Sequence, residues 1–76
     1  MTRETRQAIA AIENSQDLHE IFKEEAEMTL EVSNTKMEAA RILAEIIRDY
    51  FLDNDVLSGK IDYSEVNWKQ VAEKQL

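Results

Sequence analysis

The sequence predicts an all-α protein, and three observations support this. It has no proline and one glycine, Gly59, so the residues that most often interrupt helices are nearly absent. Good helix formers such as Ala, Glu, Lys, Leu and Gln dominate it. No stretch alternates polar and β-branched residues over the length of a strand. We expect one helical domain over residues 1–76: a small three-helix bundle made of a helical hairpin and a short C-terminal helix.

The first helical segment is expected to begin at Thr2, whose hydroxyl can accept hydrogen bonds from first-turn amides. The four polar residues of Asn14–Asp17 then compete for backbone hydrogen bonds. The helix either continues through them or restarts with Ser15 as its cap, which would make four helices. The apolar stripe that follows has helical spacing and is expected to face the core; it consists of Leu18, Ile21, Phe22, Met28, Thr29 and Val32.

The second helix is predicted over Lys36–Leu52, because Thr35 and Glu38 fit a capping box that follows the polar Ser33–Thr35. Apolar residues occupy two of its faces, more than a helix with one solvated side needs. A core of this size seldom contributes more than about 3–5 kcal/mol. We therefore expect a homodimer or higher oligomer, with an interface at Ile42, Ile46 and Ile47.

The last helix is predicted over Ser64–Gln75, where apolar residues recur at i, i+3, i+4 and i+8 from Trp68. Aromatic side chains are expected to cluster where this helix meets the second one. The residues concerned are Tyr50, Phe51, Tyr63 and Trp68.

The segment Asp53–Glu65 resembles the calcium-binding loop of the EF-hand family. The resemblance implies oxygen ligands at Asp53, Asp55, Ser58, Asp62 and Glu65, with Gly59 at the sharp turn and Ile61 following it. It requires one extra residue, because both Val56 and Leu57 stand where the family has one. The alternative is a loop with Gly59 at positive φ and Asp62 and Glu65 capping the last helix. We favour the capped loop and expect no metal.

Acidic residues are unevenly distributed along the chain. The whole sequence has 16 Asp and Glu against 9 Lys and Arg, a net charge of -7. Six acidic residues repeat every three or four positions, which would align them on one side of a helix about 27 Å long if that helix is continuous. We call them the acidic ridge: Glu13, Asp17, Glu20, Glu24, Glu27 and Glu31.

The acidic ridge has two interpretations. Charged outer faces are common in amphipathic helices, so it is compatible with a solvated surface. However, like charges at these spacings repel each other. The second helix instead alternates signs at Glu38, Arg41, Glu45 and Arg48, which predicts a ladder of salt bridges. The repulsion within the acidic ridge lowers stability, and this favours the interpretation that the ridge is a docking surface for a basic partner.

Several function classes are disfavoured by composition. The chain has no cysteine and a single histidine, His19, which argues against disulfide-stapled, zinc-finger and catalytic classes, and we expect no enzyme activity and no cofactor. Basic residues form no patch for nucleic acid. No apolar run reaches the length of a membrane span, and Met1–Arg3 does not open a signal peptide, so we expect a cytoplasmic protein.

These observations favour a non-catalytic regulator or inhibitor that occludes a larger protein with a basic surface. Phage and mobile-element inhibitors and antitoxins are often small, acidic and helical, which is an analogy of build alone. The first alternative is a structural subunit that assembles with itself. The second is a cation-responsive module that uses the loop at 53–65.

Overall fold

The structure is a computed structural model that describes residues 1–59 and 61–76. Within these ranges it has four α-helices and no strand, which confirms the predicted class. The helices are α1 (Arg3–Asn14), α2 (Gln16–Val32), α3 (Lys36–Asn54) and α4 (Trp68–Gln75), and a 3-10 turn at Tyr63–Glu65 precedes α4.

The first predicted helix is not continuous: Ser15 interrupts it and separates α1 from α2. Ser15 has extended backbone angles (φ -114°, ψ 113°), and its hydroxyl accepts a hydrogen bond from Leu18 N–H at 3.3 Å. This one residue lets α1 pack back on α2 and α4. At the other end of α1, Thr2 is the predicted cap and accepts a hydrogen bond from Thr5 N–H at 3.1 Å.

The α2–α3 hairpin is defined by the capping box that the sequence predicts. The Thr35 hydroxyl accepts a hydrogen bond from Glu38 N–H at 3.1 Å, and the Glu38 carboxylate accepts one from Asn34 N–H at 3.3 Å. The rings of Phe22 and Tyr50 lie 5.3 Å apart, far from the connecting turn. The two helices are therefore antiparallel.

The core lies between the hairpin and the other two helices. Its aromatic cluster confirms the expected contact of α3 with α4: the rings of Phe51 and Trp68 are 5.3 Å apart, and those of Tyr63 and Trp68 are 6.3 Å apart. Phe22 extends the cluster into α2, 6.2 Å from Phe51. The largest fully buried side chains are Phe22, Phe51, Ile12, Leu43, Ile47, Val71 and Thr5.

The predicted core stripe of α2 is only partly correct. Three of its members are exposed: Ile21 by 37%, Met28 by 56% and Val32 by 76%. The other three, Leu18, Phe22 and Thr29, are buried as predicted, and Ala26 is buried in addition. The helix is rotated toward Ala26, whose small side chain lets the helix approach the bundle closely. This rotation leaves the larger apolar side chains on a flank.

The start of α4 also differs from the prediction. Asp62 caps the 3-10 turn, accepting hydrogen bonds from Ser64 N–H at 3.0 Å and from the Ser64 hydroxyl at 2.6 Å. The α-helix begins only at Trp68, and its cap is Asn67. Between them, Val66 is extended and only 6% exposed. Burial of Val66 in the core is incompatible with a helix running unbroken from Ser64.

Hydrogen bonds join the start of α1 to the start of α4, and we call this contact the terminal clasp. The hydroxyl of fully buried Thr5 accepts a hydrogen bond from Asn67 N–H at 2.8 Å. The Thr2 hydroxyl donates to the Glu65 carbonyl at 3.2 Å and lies 2.7 Å from the Thr5 hydroxyl. These contacts form one chain of hydrogen bonds: Asn67 N–H donates to the Thr5 hydroxyl, the Thr5 hydroxyl to the Thr2 hydroxyl, and the Thr2 hydroxyl to the Glu65 carbonyl.

Candidate functional site: the outer face of the helical hairpin

The structure divides the acidic ridge between two helices. Glu13 lies near the end of α1, and the break at Ser15 separates it from the others. The remaining five residues, Asp17, Glu20, Glu24, Glu27 and Glu31, are exposed along α2 over about 21 Å. All six carboxylates are exposed, but they do not form one continuous line.

No base neutralises the ridge among the described residues. The one ion pair in these ranges joins Arg48 to its neighbour Asp49 at 3.4 Å. The one side-chain hydrogen bond to a ridge carboxylate comes from Gln16 to Glu20 at 3.3 Å. The ridge therefore keeps its like-charge repulsion.

The salt-bridge ladder predicted on α3 is not formed. Arg48 turns to Asp49 instead of Glu45, and no ion pair joins Arg41 to either neighbouring glutamate in the described chain. The Arg48 and Asp49 side chains are 46% and 64% exposed. Holding long exposed side chains together costs entropy that a screened charge pair barely offsets, which explains why helical spacing alone does not ensure contact.

The three isoleucines predicted for an oligomer interface have different environments. Ile47 is fully buried in the chain's own core and has no surface to offer a second copy. Ile42 and Ile46 are half-buried. Any interface on this part of α3 would use Ile42 and Ile46, without Ile47.

The contacts of α3 show which way Ile42 and Ile46 point. The ring of Tyr50 packs on α2, whereas that of Phe51 packs on α4, and Met37 borders a groove shared with α4. Successive residues of a helix are about 100° apart around its axis. Around α3, the side that faces α4 is followed by the side that faces α2, and then by a third side. That third side carries Ile42 and Ile46 and points away from α4.

The exposed flank of α2 points the same way. Phe22 faces α3, and Ala26, on one flank of Phe22, is buried against the rest of the bundle. Ile21, Met28 and Val32 lie on the opposite flank. They therefore border the outer side of the groove between α2 and α3.

Together these residues make one surface, which we call the outer face. Its apolar members are Ile21, Met28, Val32, Ile42 and Ile46. Its carboxylates are Asp17, Glu24, Glu25 and Glu31 of α2 and Glu38, Asp49 and Asp53 of α3. The apolar residues of α2 escaped the sequence prediction, because Ile21, Met28 and Val32 have the same spacing as core residues, whereas Ile42 and Ile46 were predicted to be interface residues. The three residues of α2 differ from the core residues only in the rotation of α2, which packs Ala26 against the bundle.

The loop after α3 uses its oxygen atoms internally. Asp55 (φ 44°) accepts hydrogen bonds from Gly59 N–H and from the Tyr63 hydroxyl, both at 2.9 Å. The Ser64 hydrogen bonds lower the pKa of Asp62, and desolvation raises the pKa of Tyr63. Gly59 has φ 68°, as expected for the capped loop.

The ligand set implied by the EF-hand resemblance is not assembled. Asp53 lies inside α3, because the helix extends to Asn54. In the described part of the chain, no three His, Cys, Asp or Glu side chains are placed to hold a metal ion. The predicted role of Asp62 and Glu65 as caps of α4 is also wrong, since Asn67 has that role.

Other surfaces offer little chemistry. A shallow groove of about 380 Å³ between α3 and α4 is lined by Lys36, Met37, Ala40, Lys69, Glu73 and Leu76. This lining combines two lysines and a glutamate with three apolar side chains. His19 is exposed on α2.

The chain matches no protein family model, and comparisons with curated proteins and with solved structures find no significant similarity. None of the helices described for residues 1–59 and 61–76 is long and apolar enough to cross a membrane. Function must therefore be argued from the surfaces of this molecule.

Proposed function

We propose that this chain is a non-catalytic regulator that binds a larger protein through the acidic side of α2 and blocks it. One observation carries the proposal: the five ridge carboxylates of α2 are exposed over about 21 Å, and no described base pairs with them. The expected partner presents a basic surface.

The energetics favour binding over a purely structural role. Each pair of acidic residues spaced i, i+3 or i, i+4 lowers the stability of the helix by about 0.2–0.5 kcal/mol. A face of mixed charges would avoid this penalty. A surface of one sign accelerates encounter with the opposite sign and excludes partners of the same sign.

The size of the molecule is compatible with occlusion. Its backbone extends over 35 × 23 × 19 Å. One long side of such a body is comparable with the roughly 800 Å² that each partner buries in a standard interface. Seated over a basic site, the chain would cover that site without any chemical step.

A second candidate is a structural subunit that assembles with itself. The observation in its favour is the partial exposure of Ile42 and Ile46 beside other apolar side chains on α2. Against it, two copies of the outer face would oppose carboxylates to carboxylates. We therefore rank it below the regulator.

The test is capture of the partner from a lysate of the source cells at low and physiological salt. Glu24→Lys with Glu27→Lys should abolish capture of a specific basic protein that the wild type retains at low salt. A matched control, Glu65→Lys with Glu73→Lys, makes the same change in net charge away from α2 and should retain it. Capture by the ridge variant equal to that by the wild type would refute the proposal.

A further inference from the structure

We infer that the outer face binds a basic amphipathic helix of the partner protein, an inference that rests on the proposed function and specifies its ligand. Three features of the outer face lead to it: an apolar floor, carboxylates on both sides of that floor, and the groove between two antiparallel helices.

The floor of the groove is apolar and open. Met28 is 56% exposed and Val32 76% exposed, and Ile21 continues the line toward the start of α2. From Ile21 to Val32 the line covers about 16 Å, or three helical turns. Ile42 and Ile46 supply the opposite wall. Methionine adapts its shape to whatever packs on it, which suits a docking surface.

Carboxylates rim the floor on both helices, and among the described residues only Asp49 of this rim forms an ion pair with a base. On the α2 side the ridge residues Asp17, Glu24 and Glu31 follow the apolar line. The single lysine of α2, Lys23, lies on the opposite side of the helix, and α2 has no arginine. On the α3 side the rim is given by Glu38, Asp49 and Asp53.

The bases of α3 cancel only a small part of this charge. Arg41 and Arg48 lie toward the Met37 side of the helix. The guanidinium of Arg48 reaches only Asp49, at 3.4 Å. The outer face thus combines an apolar floor with two rims of the same negative sign.

This arrangement selects its occupant by charge and by shape. A second copy would bring its own acidic rims against these, which is repulsive. A helix with an apolar stripe and basic flanks complements both the apolar floor and the acidic rims. Its stripe packs on the floor, and its lysines or arginines reach the carboxylates. Two antiparallel helices offer the groove into which the side-chain ridges of a third can pack.

The test uses a synthetic probe with a matched control. The probe is a peptide of about 15 residues, as long as the ridge, made of leucine and lysine with leucines at helical spacing. The control is a scrambled peptide of the same composition that cannot form one apolar stripe. Binding is measured by fluorescence anisotropy at about 0.15 M salt.

The probe should bind at least about tenfold more tightly than the scrambled peptide. Met28→Gln with Val32→Gln leaves the charges intact and should weaken probe binding about tenfold or more. Met37→Gln is the control: Met37 is 70% exposed but lies on the other side of α3, so binding should not change. Thermal melting verifies that each variant is folded.

Equal binding of the two peptides, or no effect of Met28→Gln with Val32→Gln, would overturn the inference. A wild-type dimer that these substitutions dissociate in sedimentation experiments would also overturn it, because a second copy would then occupy the face. If Glu24→Lys with Glu27→Lys abolishes binding of both peptides equally, the ridge remains a docking surface and only the helical ligand is wrong. If that variant affects neither peptide, the proposed function fails as well.

Discussion

The inner and outer sides of the α2–α3 hairpin both carry large apolar side chains, but these side chains have opposite environments. The inner side contains Phe22, Ile47 and Phe51, all fully buried. The outer side leaves Met28 and Val32 more than half exposed, among carboxylates of which Asp49 alone forms an ion pair in the described residues. The inner side therefore supplies the free energy of folding. The outer side lowers it slightly, as expected where a surface is suited to binding.

The largest expected effect is a cavity on the inner side. Phe51→Ala removes a ring that contacts both Phe22 and Trp68 and should cost about 3–5 kcal/mol. Met28→Ala on the outer face should change the free energy of unfolding by no more than about 0.5 kcal/mol. Urea denaturation followed by circular dichroism gives both values. Similar costs for the two variants would contradict the assignment of the two sides.

A smaller effect is expected at the terminal clasp, which closes the inner side. Thr5→Val keeps the shape of the side chain but leaves Asn67 N–H without its acceptor, so it should cost about 1–3 kcal/mol. Thr29→Val is the matched control. The Thr29 hydroxyl is also buried, but it donates to the Glu25 carbonyl of its own helix at 2.6 Å. The control should cost less than Thr5→Val in the same denaturation experiment.

The local parts of the fold were predictable because each depends on neighbours in sequence. The caps Thr2 and Thr35 were predicted, and Ser15 was one of two alternatives, since a hydroxyl three residues before an amide needs no tertiary partner. Gly59 was identified for the same reason, because its positive φ is a local requirement of the turn.

The features that depend on distant neighbours were not predictable. The sequence allows α2 to bury either Ile21 or Ala26, and packing against the other helices determines that Ala26 is buried. Val66 leaves the helical conformation because the core has space for it, which moved the start of α4 to Trp68. The exposure of the ridge carboxylates followed from periodicity, but the contacts of Arg48 depend on its rotamer.

The smallest expected effect concerns the charge of the acidic ridge. Glu24→Gln with Glu27→Gln removes two like charges and should raise the free energy of unfolding by a few tenths of a kcal/mol per pair at low salt. Added salt should stabilise the wild type more than this variant, since it screens the same repulsion. Melting curves at low and high ionic strength test both statements. Destabilisation at low salt would mean that these carboxylates have favourable contacts.

The terminal clasp also bears on the order in which the chain folds. It joins residues 62 apart, so closing it from an unstructured chain costs about 4 kcal/mol of loop entropy. The hairpin has a three-residue turn and avoids that cost. Helices α1 and α4 are therefore expected to dock after the hairpin has brought the end of α1 close to the segment that leads into α4, and to separate first when the protein opens. The outer face lies wholly on the hairpin, so we expect it to form before the chain closes.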